Sequence, residues 1–422
     1  MSRPCSSPAL VRRLWTAAVL LLAAACRDST PAVVAELEVG PLIADAGALS
    51  VIDDSAPSWG AESRWTVGDT PTLDLGDPDQ PFLGVPPVLS LSDGRIVVAD
   101  GSRQTIRYFD RTGRLLTAAG GRADDDGEFH GLGWIGRGAA DSLVAYDFVA
   151  RRMAILDPRG KIVRFAKLQP ADPTPDAEPM ASFADGTVLF RLGGAPNPFP
   201  GAPGTLLQDS AAYLRFDLDG LPVAALGVFP QQQVFGVQVR PGANPAPFPV
   251  PFGLTTSAAV RGDSMLIGTG ASFEILSVGP EGTPGSLLRA AIPREAITPA
   301  EVEAFTAAAL TRLRTNAFEM SMTLDSGFVR AIQRAPFPAR KPAFGRLLVD
   351  RTGTLWVSEP INPPDEPTRW NVFTAAGEWL GSVTTPAGLR IDEIGSDYLL
   401  GVWKQVHGKE RVRRYPLSRG GA

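Results

Sequence analysis

The sequence predicts an all-β fold, a six-bladed β-propeller whose blades are four-stranded antiparallel sheets. Two observations predict this fold. First, a unit of strands and tight turns recurs six times, and its first turns, near residues 93, 141 and 185, lie 48 and then 44 residues apart. Second, the 44 Gly and 39 Pro among 422 residues suit many short strands joined by turns. A four-stranded unit that repeats every ~40–50 residues is typical of propeller blades.

The clearest unit covers residues 88–116. Its apolar segments predict four strands, and Asp93-Gly94 and Thr112-Gly113 tolerate the backbone conformations of tight hairpin turns. Four such strands cannot bury their own faces, so each unit must stack against copies of itself. The five further copies cover residues 141–162, 184–220, 262–276, 350–380 and 395–415.

The first unit, with Val98-Ala99-Asp100 and then residues 105–113, resembles the NHL-repeat and six-bladed propeller families. Gly120-Gly121 and the later Gly127-Glu128-Phe129 are similar to the link between NHL blades. The resemblance covers residues 88–165 and 344–416 and implies the fold. It implies little about function, because members of these families include ligand sensors, protein-binding modules, lyases and lactonases.

The last unit supplies three strands, over residues 389–394, 398–403 and 410–415, which would leave an open sheet edge. Residues 63–67 and 72–75 read as extended and precede the first blade, so we expect them to close the ring as the outer strand of the last blade. Thr298-Pro299-Ala300-Glu301 is a capping box with Pro at the first helical position. It predicts one helical insertion over residues 298–320.

The N-terminus predicts export. Arg3, Arg12 and Arg13 precede an apolar run at residues 14–25 that is too short to span a bilayer and ends at Cys26. The small residues before Cys26 resemble a bacterial lipoprotein signal, which implies lipid attachment at Cys26; an ordinary secretory peptide is the alternative. We expect a signal peptide over residues 1–25, a flexible tether over 26–60 and the propeller over 61–422. Arg27 resembles an outer-membrane sorting signal, which predicts a lipid-anchored protein of the bacterial cell envelope.

Composition limits the chemistry. The net charge of −5 argues against a nucleic-acid partner. Cys5 and Cys26 are the only cysteines, and His130 and His407 the only histidines, so a transition-metal centre would lack ligands. The acidic residues 124–128 lack the spacing of an EF-hand, which favours a solvated loop. We therefore predict no cofactor, and calcium is the one metal that the composition leaves open.

Two further patterns have ordinary interpretations. Residues 131–136 match the dinucleotide spacing G-x-G-x-x-G, but they lie between two blades and lead into a strand instead of a helix. Asp100 and Asp147 each end the second strand of a blade. In similar families this aspartate braces its own loop, so we expect a structural role for both.

The long connections predict a binding face. With the strands of a blade labelled a to d from the axis outward, the a–b and c–d turns are compact, and every long connection is a b–c or d–a link. Successive connections of a blade alternate between the two faces of the propeller, so all of these links lie on one face. Loops on a rigid scaffold often carry function. The charged residues that we expect to contribute to ligand binding there are Arg103, Arg151, Arg191, Glu359, Arg369 and Lys404.

Three functions fit these observations. The first is non-catalytic binding of a small molecule or a protein partner over this face. In this case the protein would contact the membrane through its lipid anchor alone. The second is a calcium-assisted hydrolase or lyase of the lactonase-like propeller type. The third is a purely structural scaffold in an envelope assembly.

Overall fold

The structure is a computed structural model, and it describes residues 50–54, 56–60, 62–76, 82, 84–121, 129–169, 177–193, 199–319, 326–360, 366–404 and 409–420, without the side chains of 316–319. The signal sequence with Cys26, most of the predicted tether, the acidic residues 124–128 and His407 lie outside the described residues. Three strands precede the first blade: β1 (Ser50–Asp54), β2 (Thr66–Val67) and β3 (Leu73–Leu75).

The described strands form six sheets, of which five contain four consecutive antiparallel strands in the order a to d and the sixth contains three, which confirms the six-bladed propeller. Blade one contains β4 (Val88–Ser90), β5 (Ile96–Asp100), β6 (Thr105–Phe109) and β7 (Leu115–Gly120). Blade two contains β8 (Leu132–Arg137), β9 (Leu143–Asp147), β10 (Arg152–Leu156) and β11 (Ile162–Lys167). Blade three contains β12 (Ala177–Ser182), β13 (Val188–Leu192), β14 (Leu206–Phe216), β15 (Pro222–Val237) and a fifth strand, β16 (Ala246–Pro249).

The remaining blades follow the same order. Blade four contains β17 (Ser257–Arg261), β18 (Ser264–Gly268), β19 (Glu274–Val278) and β20 (Pro284–Ala290). Blade five contains β21 (Leu347–Val349), β22 (Leu355–Ser358), β23 (Thr368–Phe373) and β24 (Trp379–Thr385). Blade six contains β25 (Leu389–Ile394), β26 (Tyr398–Lys404) and β27 (Glu410–Ser418). Apolar residues of neighbouring blades pack together, as Ala259 of blade four does with Leu347 of blade five, so the core lies between the blades.

The predicted closure is confirmed. Both β2 and β3 pair antiparallel with β27, the third strand of the last blade, so the N-terminal segment supplies the missing outer edge. Asp74 of β3 fixes the register through ion pairs with Arg411 and Arg413. The ring is therefore closed by residues from both ends of the described chain.

The boundary predicted between tether and propeller was wrong. Residues 50–54, which we assigned to the tether, form β1, and β1 pairs parallel with β20 at the outer edge of blade four. The strand forms because Ile52 packs against the core between blades four and five, and because Asp54 Oδ2 accepts a hydrogen bond from Trp379 N at 2.6 Å. Trp59 N then donates to Leu380 O on blade five. The N-terminal segment thus follows the outer edges of blades four, five and six.

The predicted helix is confirmed as α1 (Pro299–Glu319), and the same insertion holds a second helix that was not predicted, α2 (Ser326–Gln333). The capping box is formed, because Glu301 N donates to Thr298 Oγ1 at 3.3 Å while Glu301 Oε2 accepts from Thr298 N at 2.8 Å. Within the described part of the chain, neither helix has the length and apolar character needed to cross a membrane.

The bracing role of the two aspartates is also confirmed. Asp147 is fully buried, and its carboxylate accepts hydrogen bonds from the backbone N–H groups of His130, Val149 and Ala150. Asp100, equally buried, accepts from Ser102 Oγ and from the backbone N–H of Arg103. Each carboxylate replaces the backbone partners that its loop cannot supply.

Candidate functional site

The two faces of the propeller differ. We call the face of the a–b and c–d turns the turn face and the face of the b–c and d–a links the loop face. The long connections 193–205, 238–256, 291–346 and 359–367 all belong to the loop face. Both helices lie within the third of these connections.

The turn-face mouth of the central channel is held by a network around Glu393, near the end of inner strand β25. Glu393 Oε2 accepts hydrogen bonds from Arg137 Nη2 of blade two at 2.8 Å and from Ser90 N of blade one at 3.2 Å. Arg351 Nη1 of blade five lies 3.8 Å from the other carboxylate oxygen. Tyr398 also donates to this carboxylate, and burial, with the charge of Glu393, raises the pKa of its phenol. One carboxylate therefore links four blades.

The six predicted ligand-binding residues lie at the b–c ends of five blades, on the loop face, as their positions in the sequence indicated. Three of them form ion pairs within their own blades: Arg103 with Asp100, Arg191 with Glu178, and Lys404 with Glu410.

The other three stay near their own loops. Arg369 Nε of β23 lies 3.5 Å from Glu359 Oε1, which follows β22 of the same blade. Arg151 sits in its b–c turn with φ +52°. The structure thus joins Glu359 to Arg369, and five of the six residues form an ion pair within their own blade.

Arg191 is part of a larger polar cluster in blade three. Its Nη1 donates to Gln231 Oε1 at 2.9 Å, and Gln231 Nε2 lies 2.9 Å from the hydroxyl of Tyr213. The β14–β15 pairing shifts register after Gln208, so Asp209 lies in a bulge. Arg191 Nε, Gln208 Oε1 and Asp209 Oδ2 are buried and have no hydrogen-bond partner among the described residues. Such atoms need a water or a ligand group.

The sequence did not point to Gln208 and Asp209. The available signal was the long b–c connection of blade three, which does not indicate which polar residues its flanking strand buries.

Above blade three stands an accessory lobe, which we define as the ends of β14 and β15 on the loop face, β16, and the helices α1 and α2. Its apolar core combines Phe235 and Val237 of β15 with Ala331 of α2 and with Phe337. Gly327 packs against the backbone at Val239 and leaves no room for a Cβ atom. The helices are therefore docked on the long hairpin of blade three.

Arg346 and Arg390 lie at the starts of neighbouring inner strands, toward the loop-face end of the channel, and Asp392 lies along β25 between Arg390 and Glu393. Arg346 directly precedes inner strand β21, and its backbone N–H donates to Ser358 Oγ at the b–c end of blade five. Asp392 is almost fully buried and is held by Arg390 through Nε at 2.9 Å and Nη2 at 3.0 Å. Burial raises the pKa of the Asp392 carboxyl, and the charge of Arg390 opposes this rise.

Within the residues that the structure describes, no three His, Cys, Asp or Glu side chains group as metal ligands. The inner-strand carboxylates Glu178, Asp392 and Glu393 each form an ion pair with an arginine. The G-x-G-x-x-G spacing falls on β8, an inner strand that leads into a short turn and then β9, so no α-helix follows the motif, as its place between two blades predicted.

No family model matches the chain, and a search of curated proteins gave no match either. Among solved structures, the chain is similar to a member of the DUF4221 family from Bacteroides vulgatus, with 8% identity and a TM-score of 0.48 over 85% of this chain and 99% of that one. It is also similar to virginiamycin B lyase from Staphylococcus aureus, with 9% identity and a TM-score of 0.39 over 83% and 99%. The chain is similar as well to a gluconolactonase from Xanthomonas campestris, with 12% identity and a TM-score of 0.40 over 84% of this chain and 98% of that one. Identities of this size concern the fold alone.

Proposed function

We propose that this protein is an envelope-anchored propeller that binds a ligand or a protein partner over its loop face, without catalysis. One observation carries the proposal, the asymmetry between the two faces. At the turn-face mouth, the charges of Glu393, Arg137 and Arg351 are engaged with one another. The loop face carries the long connections and the accessory lobe. Binding sites concentrate on loops that a rigid scaffold holds in place.

Two features of the loop face support binding. Phe305 and Phe328 of the lobe are large apolar side chains that remain exposed. The buried atoms of Arg191, Gln208 and Asp209 retain unused hydrogen-bonding capacity at the base of the lobe. A binding surface combines such apolar contacts with a few convergent polar groups.

A calcium-assisted hydrolase or lyase remains the alternative. It requires several oxygen ligands that converge on one ion. The carboxylates that line the inner strands, Asp392 and Glu393, instead face arginines, which compete with a cation for the same oxygens. This arrangement favours binding over calcium-assisted chemistry.

Photo-crosslinking in living cells tests the proposal. A photoreactive residue would replace Phe305 or Arg369 on the loop face, and Arg114 or Arg159 on the turn face as matched exposed controls. For a protein partner, we expect defined crosslinked products from the loop-face positions alone. For a small ligand, a thermal-shift screen should find compounds whose stabilising effect is lost in Arg369→Ala with Lys404→Ala and kept in Arg114→Ala with Arg159→Ala. Products or losses that are equal on both faces would overturn the assignment.

A further inference from the structure

Arg346 is a charged residue at the loop-face end of the channel whose guanidinium has no partner among the described residues. The part of the chain that the structure describes provides no hydrogen bond and no ion pair to its guanidinium, although the neighbouring arginine Arg390 has several. Arg346 is exposed to solvent, yet the protein around it lowers the pKa of its guanidinium by desolvation. Because Arg346 directly precedes inner strand β21, we interpret a side chain that protein encloses and solvent still reaches as one that faces the central channel.

Its nearest charged neighbours cannot satisfy it. Both oxygens of Asp392 are already used, Oδ1 by Arg390 Nε and Oδ2 by Arg390 Nη2 and by Val88 N. Arg390 is close enough to repel Arg346 electrostatically, and Asp392 attracts it only from beyond ion-pair distance. An unpaired guanidinium that has a second arginine beside it, and whose nearest carboxylate is already occupied, favours a further negative charge at this end of the channel.

We propose that Arg346, with Arg390 beside it, forms an anion site at the loop-face mouth of the channel, which takes a carboxylate or phosphate group of the bound ligand. The inference rests on the proposed function, since it names the chemistry of the ligand for that face. Guanidinium groups recognise planar carboxylates and phosphates through paired N–H donors. The net charge of the whole chain is −5, so general electrostatics does not favour anions and the attraction must be local.

Arg261 provides a matched control inside the same channel. It ends inner strand β17 at the turn face, and it too has no hydrogen bond or ion pair among the described residues. Burial lowers the pKa of its guanidinium as well, but no second arginine contributes to that shift, so Arg261 lacks the paired arginines of the proposed site. Removing Arg261 therefore deletes a similar charge from the other end of the channel.

Titration calorimetry of the full chain tests the site, with inorganic phosphate and succinate as probes and sodium chloride at matched ionic strength as the reference. We expect saturable binding of at least one probe, weakened at least tenfold in Arg346→Gln and less in Arg346→Lys. Arg261→Gln and the surface variant Arg159→Gln should bind like the wild type. A preference for phosphate or for succinate would identify which of the two groups the ligand carries.

Two results would overturn the anion site. One is the absence of saturable binding of either probe to the wild type. The other is an equal loss in Arg346→Gln and Arg261→Gln, or no loss in Arg346→Gln. Either result would leave the crosslinking test of the loop face untouched, so failure of this site and failure of the proposed function are separate outcomes.

Discussion

Arg137 of blade two and Glu393 of blade six are joined by a 2.8 Å ion pair that spans the inner strand of blade one. Ser90 of that strand bonds to both, because its N–H donates to Glu393 and its carbonyl accepts from Arg137. The seam between the first and last blades is where a propeller ring can open. This network therefore holds the seam at the axis, while β2 and β3 hold it at the rim.

We expect Glu393→Gln to destabilise the propeller by about 2 kcal/mol, because Arg137 and Arg351, which are 28% and 40% exposed, then lose their shared carboxylate. The Glu393 side chain is only 12% exposed, so solvent cannot replace the lost charge. Urea unfolding followed by tryptophan fluorescence measures the change. Asp93→Asn is the control, since Asp93 is 50% exposed in its pair with Arg95 and should cost less than about 1 kcal/mol. Equal losses would mean that the network contributes no more than a surface ion pair.

The start of helix α1 should respond to pH. The hydrogen bond from Lys341, strengthened by those from Thr298, lowers the pKa of Glu301 from its ordinary 4.5 to about 2. A lowered pKa in the folded state means that the ionised carboxylate stabilises the fold above pH 4.5 and that this stabilisation is lost as pH falls to about 2.

The comparison of Glu301→Gln with the wild type measures this contribution. Because Glu301 is 35% exposed, we expect a loss of about 1 kcal/mol at pH 7, well below the full value of the pKa shift. The difference in unfolding free energy should shrink between pH 4.5 and pH 2 and vanish below. Glu303→Gln, on the exposed side of the same helical turn, should match the wild type throughout. A difference that persists at pH 2 would point to packing instead of charge.

Local turn chemistry and strand periodicity made most of the fold predictable from the sequence. The Asp-Gly and Thr-Gly turns located the hairpins, and the missing fourth strand of the last unit was enough to predict the closure by residues 63–75. Strand β1 was not predicted, because its five residues pair with β20, more than 200 positions away, and nothing local in Ser50–Asp54 indicates that partner. Helix α2 was not predicted, because its apolar residues pack against the hairpin of blade three, which is distant in the sequence.

The candidate site was less predictable, for the same reason. The positions of Arg103, Arg191 and Lys404 on the loop face followed from the repeat, but the carboxylates that hold them did not. Arg346 carries no sequence signal at all. Its significance arises from Arg390 and Asp392 on the next blade, which the chain reaches some 40 residues later.

Substitution of Cys26 tests the predicted lipid anchor. We expect Cys26→Ser to abolish labelling with a radioactive or clickable fatty acid and to release the protein from the membrane fraction, because the acylated residue is lost while the rest of the signal remains. Cys5→Ser, which removes the other cysteine within the predicted signal peptide, should leave both properties unchanged. A Cys26→Ser protein that fractionates with membranes like the wild type would contradict the lipid anchor.

Nested truncations test how much of the N-terminal segment belongs to the propeller. We expect deletion of 27–49 to leave the unfolding midpoint unchanged, deletion of 27–60 to lower it, and deletion of 27–76 to lower it further. The second deletion removes β1 and Trp59 and exposes the outer edge of blade four. The third also removes β2 and β3, and with them Trp65, which packs between Trp59 and Trp356 and under Arg419. Each exposed edge leaves unpaired backbone groups and opens a route to aggregation. Equal unfolding midpoints for the first two truncations would mean that residues 50–60 belong to the tether. Equal midpoints for all three truncations would refute the closure by β2 and β3.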